Sequence, residues 1–334
     1  SRAEFDKVKN QFFENCKNAG HTYELTAEIW RQIESFAGYA FAKGHSASYA
    51  VESYQSLFLK AYYPLEYMVA TLNNFGGFYR PEYYVHEARM NGGSIAPPCV
   101  NTSFYQNYIQ GKTIYLGFIM LHSFESKNAS RIVDERNKNG PFLSLDNFID
   151  RVAISLEQIA ILIKVNAFKF TQRNKRELLW EAHMKVHKVV LEEHVHTLFK
   201  SEKVSYKTPE LVSSVMEDAF DELQYIGFPL CNPFDLLKEP IQNEVLAKDL
   251  LSYVGKRVTV YGYYVTVKKT PTSRGDLMFF GNFIDIEGDH IDTVHFPPIA
   301  RKYPFKGRGV YKISGKVLAE FDCVNIEVDY LEKL

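Results

Sequence analysis

Apolar positions recur with a helical period through the first half of the chain and with an alternating one near its end. Phe5, Val8, Phe12 and Cys16 repeat every three or four residues, which predicts a helix stopped at Gly20. Ile29, Trp30, Ile33 and Phe36 predict a second helix, ending near Gly38. A third carries Ala47, Ala50, Val51, Tyr54, Leu57, Phe58 and Ala61 on one stripe; Ser46 is its candidate cap, and Pro64 lies just beyond its end. Turn-rich stretches follow at 73–81 and 91–101. Residues 126–180 read as short helices broken at 137–142 and 165–175, and residues 176–250 as helical and acidic. From Tyr253 onward the runs 257–267, 277–286, 290–296, 309–318 and 325–331 are rich in β-branched and aromatic residues and read as strands. A short helical candidate, 299–303, falls between the third and fourth, the arrangement of an OB-fold barrel. The expected fold class is multidomain α+β: a mainly helical region followed by a five-stranded OB-fold β-barrel.

Composition narrows the class. A chain of 334 residues suggests two or three domains, and 46% hydrophobic with 24% charged residues excludes a disordered polypeptide. No apolar stretch approaches the ~20 residues that cross a bilayer, so no membrane association is expected. Cys16, Cys99, Cys231 and Cys323 are widely spaced without a CxxC, which argues against a disulfide framework or a cysteine zinc site and fits a reducing cytoplasm. His183 and His187 stand at i, i+4, near His194 and His196, but no HExxH accompanies them and no metal site is expected. No GxxxxGK[ST] phosphate loop and no GxSxG elbow occurs. The net charge of −1 hides an alternation: residues 127–190 hold 12 Lys+Arg against 7 Asp+Glu, a net +5, and residues 191–250 hold 5 against 12, a net −7. Such alternation points to modules that meet different partners.

The most informative local feature is AKGHSASYAVESYQ (42–55). Lys43, Gly44 and His45 precede a helix expected to open at Ser46 or Ala47, and a helix N-terminus offers free N–H groups and a positive dipole end to a phosphate. Tyr49 and Tyr54 lie further along the same helix, within reach of a base or sugar. By itself this pattern also describes a capped helix with tyrosines in a core.

FAGYAFAKGHSASYAVESYQSLFLKAYYPLEYMVATL (36–72) is very similar to the fingers of the bacterial DNA polymerase III alpha subunit, a C-family polymerase. ARMNGGSIAPPCVN (88–101), FLSLDNFIDRV (142–152) and the OB-like end continue the match in order. The resemblance implies late fingers over 1–103, a clamp-binding domain with degenerate helix-hairpin-helix elements over 104–200, an acidic helical connector over 201–251 and an OB domain over 252–334. It implies a fragment of a DNA-directed DNA polymerase, with a translesion-type paralogue as the alternative inside the family and a stand-alone nucleic-acid-binding module outside it. Its partners would be template-primer, incoming nucleoside triphosphate, a weakly held sliding clamp and other replisome subunits. No stretch matches the family's palm, where carboxylates hold Mg²⁺; the chain is expected to carry no catalytic residue or cofactor and to be inactive alone.

Site residues carry over position by position. The resemblance implies that Lys43, His45, Ser46 and Tyr49 fall on the fingers surface that faces the nucleotide and nascent pair. In the first hairpin the usual glycines are replaced by Ser123-Phe124-Glu125, which restricts the turn and sets a carboxylate where a phosphate would sit. In the second, Asn166 stands for glycine, and asparagine tolerates the left-handed conformation; Arg173, Lys175 and Arg176 follow as candidates for the DNA backbone. Val195-His196-Thr197-Leu198-Phe199 keeps the Leu-Phe anchor of the clamp peptide, Leu198 and Phe199, but lacks its glutamine. In the OB segment Lys268, Lys269 and Arg274 are expected in the loop between the first two strands. Phe279 and Phe283 alternate with Phe280; one set must be core, and Phe280 is the candidate base contact.

Overall fold

A computed structural model describes residues 2–37, 43–192, 211, 214–241, 245–320 and 323–334. It divides into two compact units, Ser1–Tyr63 and Pro64–Leu334.

The first unit holds α1 (Arg2–Asn18), α2 (Tyr23–Ala37) and α3 (Lys43–Tyr62). Phe5, Phe12 and Phe13 surround the buried Trp30 with ring centroids 5.5, 5.4 and 6.2 Å away, so the apolar stripes of α1 and α2 close on each other. Gly20 ends α1 at φ +82°, with its own N–H on Lys17 O and that of His21 on Cys16 O. That pair of bonds is a Schellman stop, which glycine makes at no steric cost. The stripe of α3 behaves differently: Val51, Tyr54, Leu57 and Phe58 are all exposed. This helix is already under way at Lys43, upstream of the expected opening. The run Lys-Gly-His-Ser-Ala-Ser contains no proline or β-branched residue to halt propagation, and each added turn residue gains a hydrogen bond.

The second unit begins with α4 (Pro64–Asn73) and α5 (Pro81–Met90), then a small sheet of β1 (Ser94–Ala96), β2 (Tyr108–Gln110) and β3 (Thr113–Tyr115) in the order β1-β3-β2. Four helices follow before the acidic region: α6 (Ser126–Asn139), α7 (Leu145–Arg151), α8 (Leu156–Lys164) and α9 (Lys175–Glu192). Their core contains Phe118, Ile132, Phe142, Phe148, Leu162 and Phe168, with Phe148 edge-on to both Phe142 and Phe168. The helix α10 (Val215–Tyr225) sends Ile226 and Phe228 into the same core.

The chain then closes a five-stranded barrel from β4 (Arg257–Pro271), β5 (Leu277–Ile284), β6 (His290–His295), β7 (Val310–Glu320) and β8 (Cys323–Lys333), in the order β4-β5-β6-β8-β7. β7 returns to β4, with Val260 opposite Ile313, and α11 (Pro297–Lys302) bridges β6 to β7. The β6–β8 pairing is parallel and the others antiparallel. Strand order and helix position are those of an OB-fold, as the five alternating runs predict. Inward side chains Val258, Val260, Phe283, Ile291, Ile313 and Ile326 fill the interior. Gly262 lets β4 pass against Phe283, where a Cβ would stand 2.6 Å from the Phe283 Cβ.

Candidate nucleic-acid interface

Two turns in the helical module adopt hairpin geometry without glycine. Ser123 and Asn166 both sit in the left-handed region, at φ +62° and +60°. At Asn166 the local bonds explain it: α8 ends with Asn166 N–H on Ile163 O at 3.0 Å and Ala167 N–H on Leu162 O at 2.8 Å, a second Schellman turn with asparagine in the glycine place. Ser123 has no such preference, and its turn is stitched from outside. The buried Gln158 donates from Nε2 to Ser123 O at 2.8 Å, while its Oε1 accepts from Glu125 N–H at 2.9 Å and from Asn128 Nδ2 at 3.1 Å. One amide therefore holds both sides of the first hairpin. It also takes the Glu125 N–H, and Glu125 itself pairs with Lys127 at 2.9 Å. A phosphate approaching there meets a carboxylate.

Beyond the second hairpin, Asn174 caps α9 by accepting from Arg176 N–H at 2.8 Å. The three cations of this turn all have carboxylate partners. Lys175 is buried, its side chain 2% exposed, with Nζ 2.7 Å from Asp218 Oδ1 and 2.6 Å from Asp221 Oδ2. Burial alone would depress the Lys175 pKa, but its bonds to Asp218 and Asp221 outweigh that and raise it. Arg176 straddles Glu217, Nε lying 3.0 Å from each carboxylate oxygen, and this bond raises its pKa. Arg173 bonds Glu181 and lies 3.8 Å from Glu177. Glu217 and Asp218 stand in the first turn of α10, where Ser214 Oγ accepts from Glu217 N–H at 3.2 Å and acidic residues favour the helix dipole.

On the barrel, β4 runs on to Pro271, so Lys268 and Lys269 are strand residues rather than loop residues. The ladder with β5 continues through Lys268–Phe280, Lys269–Phe279 and Pro271–Leu277, leaving a turn of 272–276 closed by Thr272 N–H on Asp276 O at 2.8 Å. Arg274 lies in that turn, next to Gly275 at φ +84°. The register settles which rings face out. Phe283 is fully buried and Phe279 packs toward Phe305 at 6.0 Å, whereas Phe280 is 41% exposed on the outer face, opposite Lys268. Lys269 Nζ stands 5.6 Å from the Phe279 ring centre.

On α3, His45, Ser46 and Tyr49 lie in the first turns of an established helix, with Tyr49 exposed. Lys43 opens the described part of that helix. Leu198 and Phe199 lie outside the described residues. The described residues thus bring Asn166, Arg173, Lys175 and Arg176 together around one hairpin and Lys268, Lys269, Arg274 and Phe280 around one strand pair.

The helix-hairpin-helix motif family matches residues 92–178, the stretch that contains the turns at Ser123 and Asn166. Over 96% of its length the chain is 29% identical to an error-prone DNA polymerase of Vibrio parahaemolyticus, and over 98% it is 28% identical to the DNA polymerase III subunit alpha of Aquifex aeolicus. The resemblance to the bacterial polymerases holds. The chain spans 31% and 27% of the lengths of these two relatives. Among solved structures, the second OB-fold domain of replication protein A from Methanococcus maripaludis aligns with 24% of this chain and 86% of that one, at 17% identity and a TM-score of 0.20. At that score the barrel's own strand order remains the ground for the fold.

Among the described residues no group of three or more His, Cys, Asp or Glu is placed to hold a metal ion. Nor is any described helix long and apolar enough to cross a membrane. The residue that sequence reasoning missed is Gln158. Its signal was a lone polar side chain one turn before Ile161 and Leu162, on the buried stripe of α8.

Proposed function

We propose that this chain is the nucleic-acid-handling portion of a template-directed DNA polymerase of the alpha-subunit type. It would contribute nucleotide-facing fingers, a helix-hairpin-helix module and an OB barrel to a parent that extends primers. The observation that carries this reading is the match of 96–98% of the chain to polymerases named as such. Relatives of the replicative and error-prone kinds match at nearly equal identity, so the reading is the part common to both. Phosphoryl transfer and its Mg²⁺ would reside in a palm supplied by the rest of such a parent, and this chain by itself would not extend a primer.

Within it, Lys43, His45, Ser46 and Tyr49 are proposed to face the nucleotide, Leu198 and Phe199 to give a weak clamp contact, and Asn166 with Arg173 and Arg176 to form the second hairpin's DNA side. Lys175, expected there from the sequence, is buried on Asp218 and Asp221 and is not available to a phosphate. The barrel is proposed to hold single-stranded template, with Phe280 as stacking platform and Lys268, Lys269 and Arg274 tracking the backbone. Fluorescence anisotropy of oligo-dT on the whole chain tests the barrel contact. Each base–aromatic stack is worth about 1–3 kcal/mol, so Phe280→Ala should weaken binding at least about fivefold. Unchanged affinity in both Phe280→Ala and the triple alanine variant of Lys268, Lys269 and Arg274 would overturn it.

A further inference from the structure

The basic and acidic halves of the charge alternation meet each other. Residues 127–190 carry the excess of cations and residues 191–250 the excess of carboxylates, and α10 brings Glu217, Asp218 and Asp221 onto the first turn of α9. Leu211 completes the cover, its carbonyl accepting from Asn174 Nδ2 at the α9 cap. This is the turn at which a helix after a hairpin would present N–H groups and cations to a phosphate. We propose that α10 is an internal occupant of the second hairpin's backbone site, and that duplex DNA engages this hairpin only by exchanging a phosphate for the Glu217 carboxylate of α10. The proposal rests on the reading that the hairpin module meets DNA.

Two layers of the contact have different roles. Lys175 is buried between Asp218 and Asp221, so it pins α10 to α9 and keeps the helix pair assembled during exchange. Arg176 forms the outer layer, its side chain 47% exposed, on Glu217; Arg173 pairs instead with Glu181 of α9 itself. Exposed ion pairs of this kind hold little free energy and weaken with salt, which makes them exchangeable. A phosphodiester presents the same acceptor geometry to the Arg176 fork that Glu217 presents now. In the closed arrangement Arg176 is held by Glu217; in the exchanged one it adds a phosphate contact.

The test is anisotropy of a fluorescent blunt duplex with the whole chain, for the parent, Glu217→Gln, Arg176→Ala and the double variant. Glu217→Gln is isosteric, and the Lys175 pin remains to hold the fold. Expected is about three- to tenfold tighter binding for Glu217→Gln with a log–log salt slope steeper by about one, the signature of one added phosphate contact. Removal of a negative charge anywhere could tighten binding, so the interaction between the two sites is decisive. Arg176→Ala should abolish the gain in Glu217→Gln and cost several-fold more affinity there than in the parent, where Glu217 competes with the phosphate for the guanidinium. Asp329→Asn, which frees Arg257 on the barrel by the same charge change, should leave the effect of Arg176→Ala unaltered. An equal effect of Arg176→Ala in both backgrounds overturns the internal occupant while leaving DNA binding intact. Absence of duplex binding by the parent and by Glu217→Gln at low salt overturns the DNA reading of the hairpin together with it.

Discussion

Acidification should destabilise the barrel through one buried histidine. His295 is fully buried at the end of β6, its ring centre 4.9 Å from that of Phe305. Its Nε2 lies 3.0 Å from Thr293 Oγ1, and that hydroxyl already donates its single proton to Gly281 O at 2.9 Å. His295 must therefore donate from Nε2, which leaves Nδ1 as a bare lone pair, and Nδ1 has no hydrogen-bond partner. Protonation would place a charged N–H there without an acceptor, and burial lowers the pKa from 6.5 to about 4. The sign follows from comparing states. Below pH 6.5 the unfolded chain takes up a proton that the folded barrel refuses until about pH 4, so stability falls as pH drops through this window. At about 1.4 kcal/mol per unit the full loss is roughly 3 kcal/mol, of which roughly 2 kcal/mol has appeared by about pH 5. Urea unfolding at about pH 7 and pH 5, followed by tyrosine near-UV dichroism, would measure it; Trp30 and Trp180 both lie outside the barrel and report the helices separately. His295→Gln keeps a donor but cannot titrate, and its barrel should lose roughly 2 kcal/mol less than the parent over the same interval. An equal loss in both proteins, or an imidazole that titrates near 6.5 by NMR, would refute the reasoning.

Two further perturbations probe the helical module. Lys175→Met should destabilise it by roughly 3 kcal/mol, because Asp218 and Asp221 would face each other across an apolar side chain; Asp218 remains partly solvated, which keeps the loss toward the low end for a broken buried pair. Urea melts read by Trp180 fluorescence measure it, and a change below about 1 kcal/mol would show that the carboxylates simply turn to solvent. Ser123→Gly should raise the module's stability by roughly 0.5–1 kcal/mol, since glycine adopts φ +62° without steric cost and this gain exceeds its extra unfolded-state entropy. A lowered melting temperature would mean that the Ser123 hydroxyl contributes more than its backbone costs.

The barrel was legible because its signal is local. Five alternating runs of β-branched and aromatic residues, with a helical interruption between the third and fourth, admit few arrangements, and the strands form where those runs lie. Gly20 and Asn166 were legible for a related reason: each residue type tolerates the left-handed backbone that a Schellman turn requires. Ser123 misleads the same rule. Its loss of glycine reads as a restricted turn, yet the turn forms because Gln158, 35 residues away, bonds across it. β1, β2 and β3 are three residues each, too short for any period to announce them. Lys268 and Lys269 read as loop because charged residues near Pro271 resemble a turn, but the pairing with β5 extends the strand past them. Periodicity narrowed the barrel phenylalanines to two sets, and only the register with β6 and the position of Phe305 place Phe280 outside.

The charge alternation is where local reading and structure diverge most, and the divergence separates the two proposed DNA contacts. A net +5 followed by a net −7 reads as two modules for two partners, because net charge by segment carries no information about which side chains meet. Lys175 finds Asp221 46 residues away, across a separation that no sequence pattern marks. The cations of the hairpin are thereby held by carboxylates of the same chain, while Lys269 on the barrel lies over an aromatic ring and Lys268 is opposite an exposed one. Both surfaces are basic by composition, yet they would meet a polyanion in different ways. Phosphates reaching the barrel displace only water and counterions, so its affinity should follow the simple salt law. Phosphates reaching the hairpin must also displace Glu217, and added salt weakens that internal pair as well as the DNA contact. The two effects oppose each other, so the hairpin's apparent salt slope is shallower than its count of cations implies until Glu217 is neutralised.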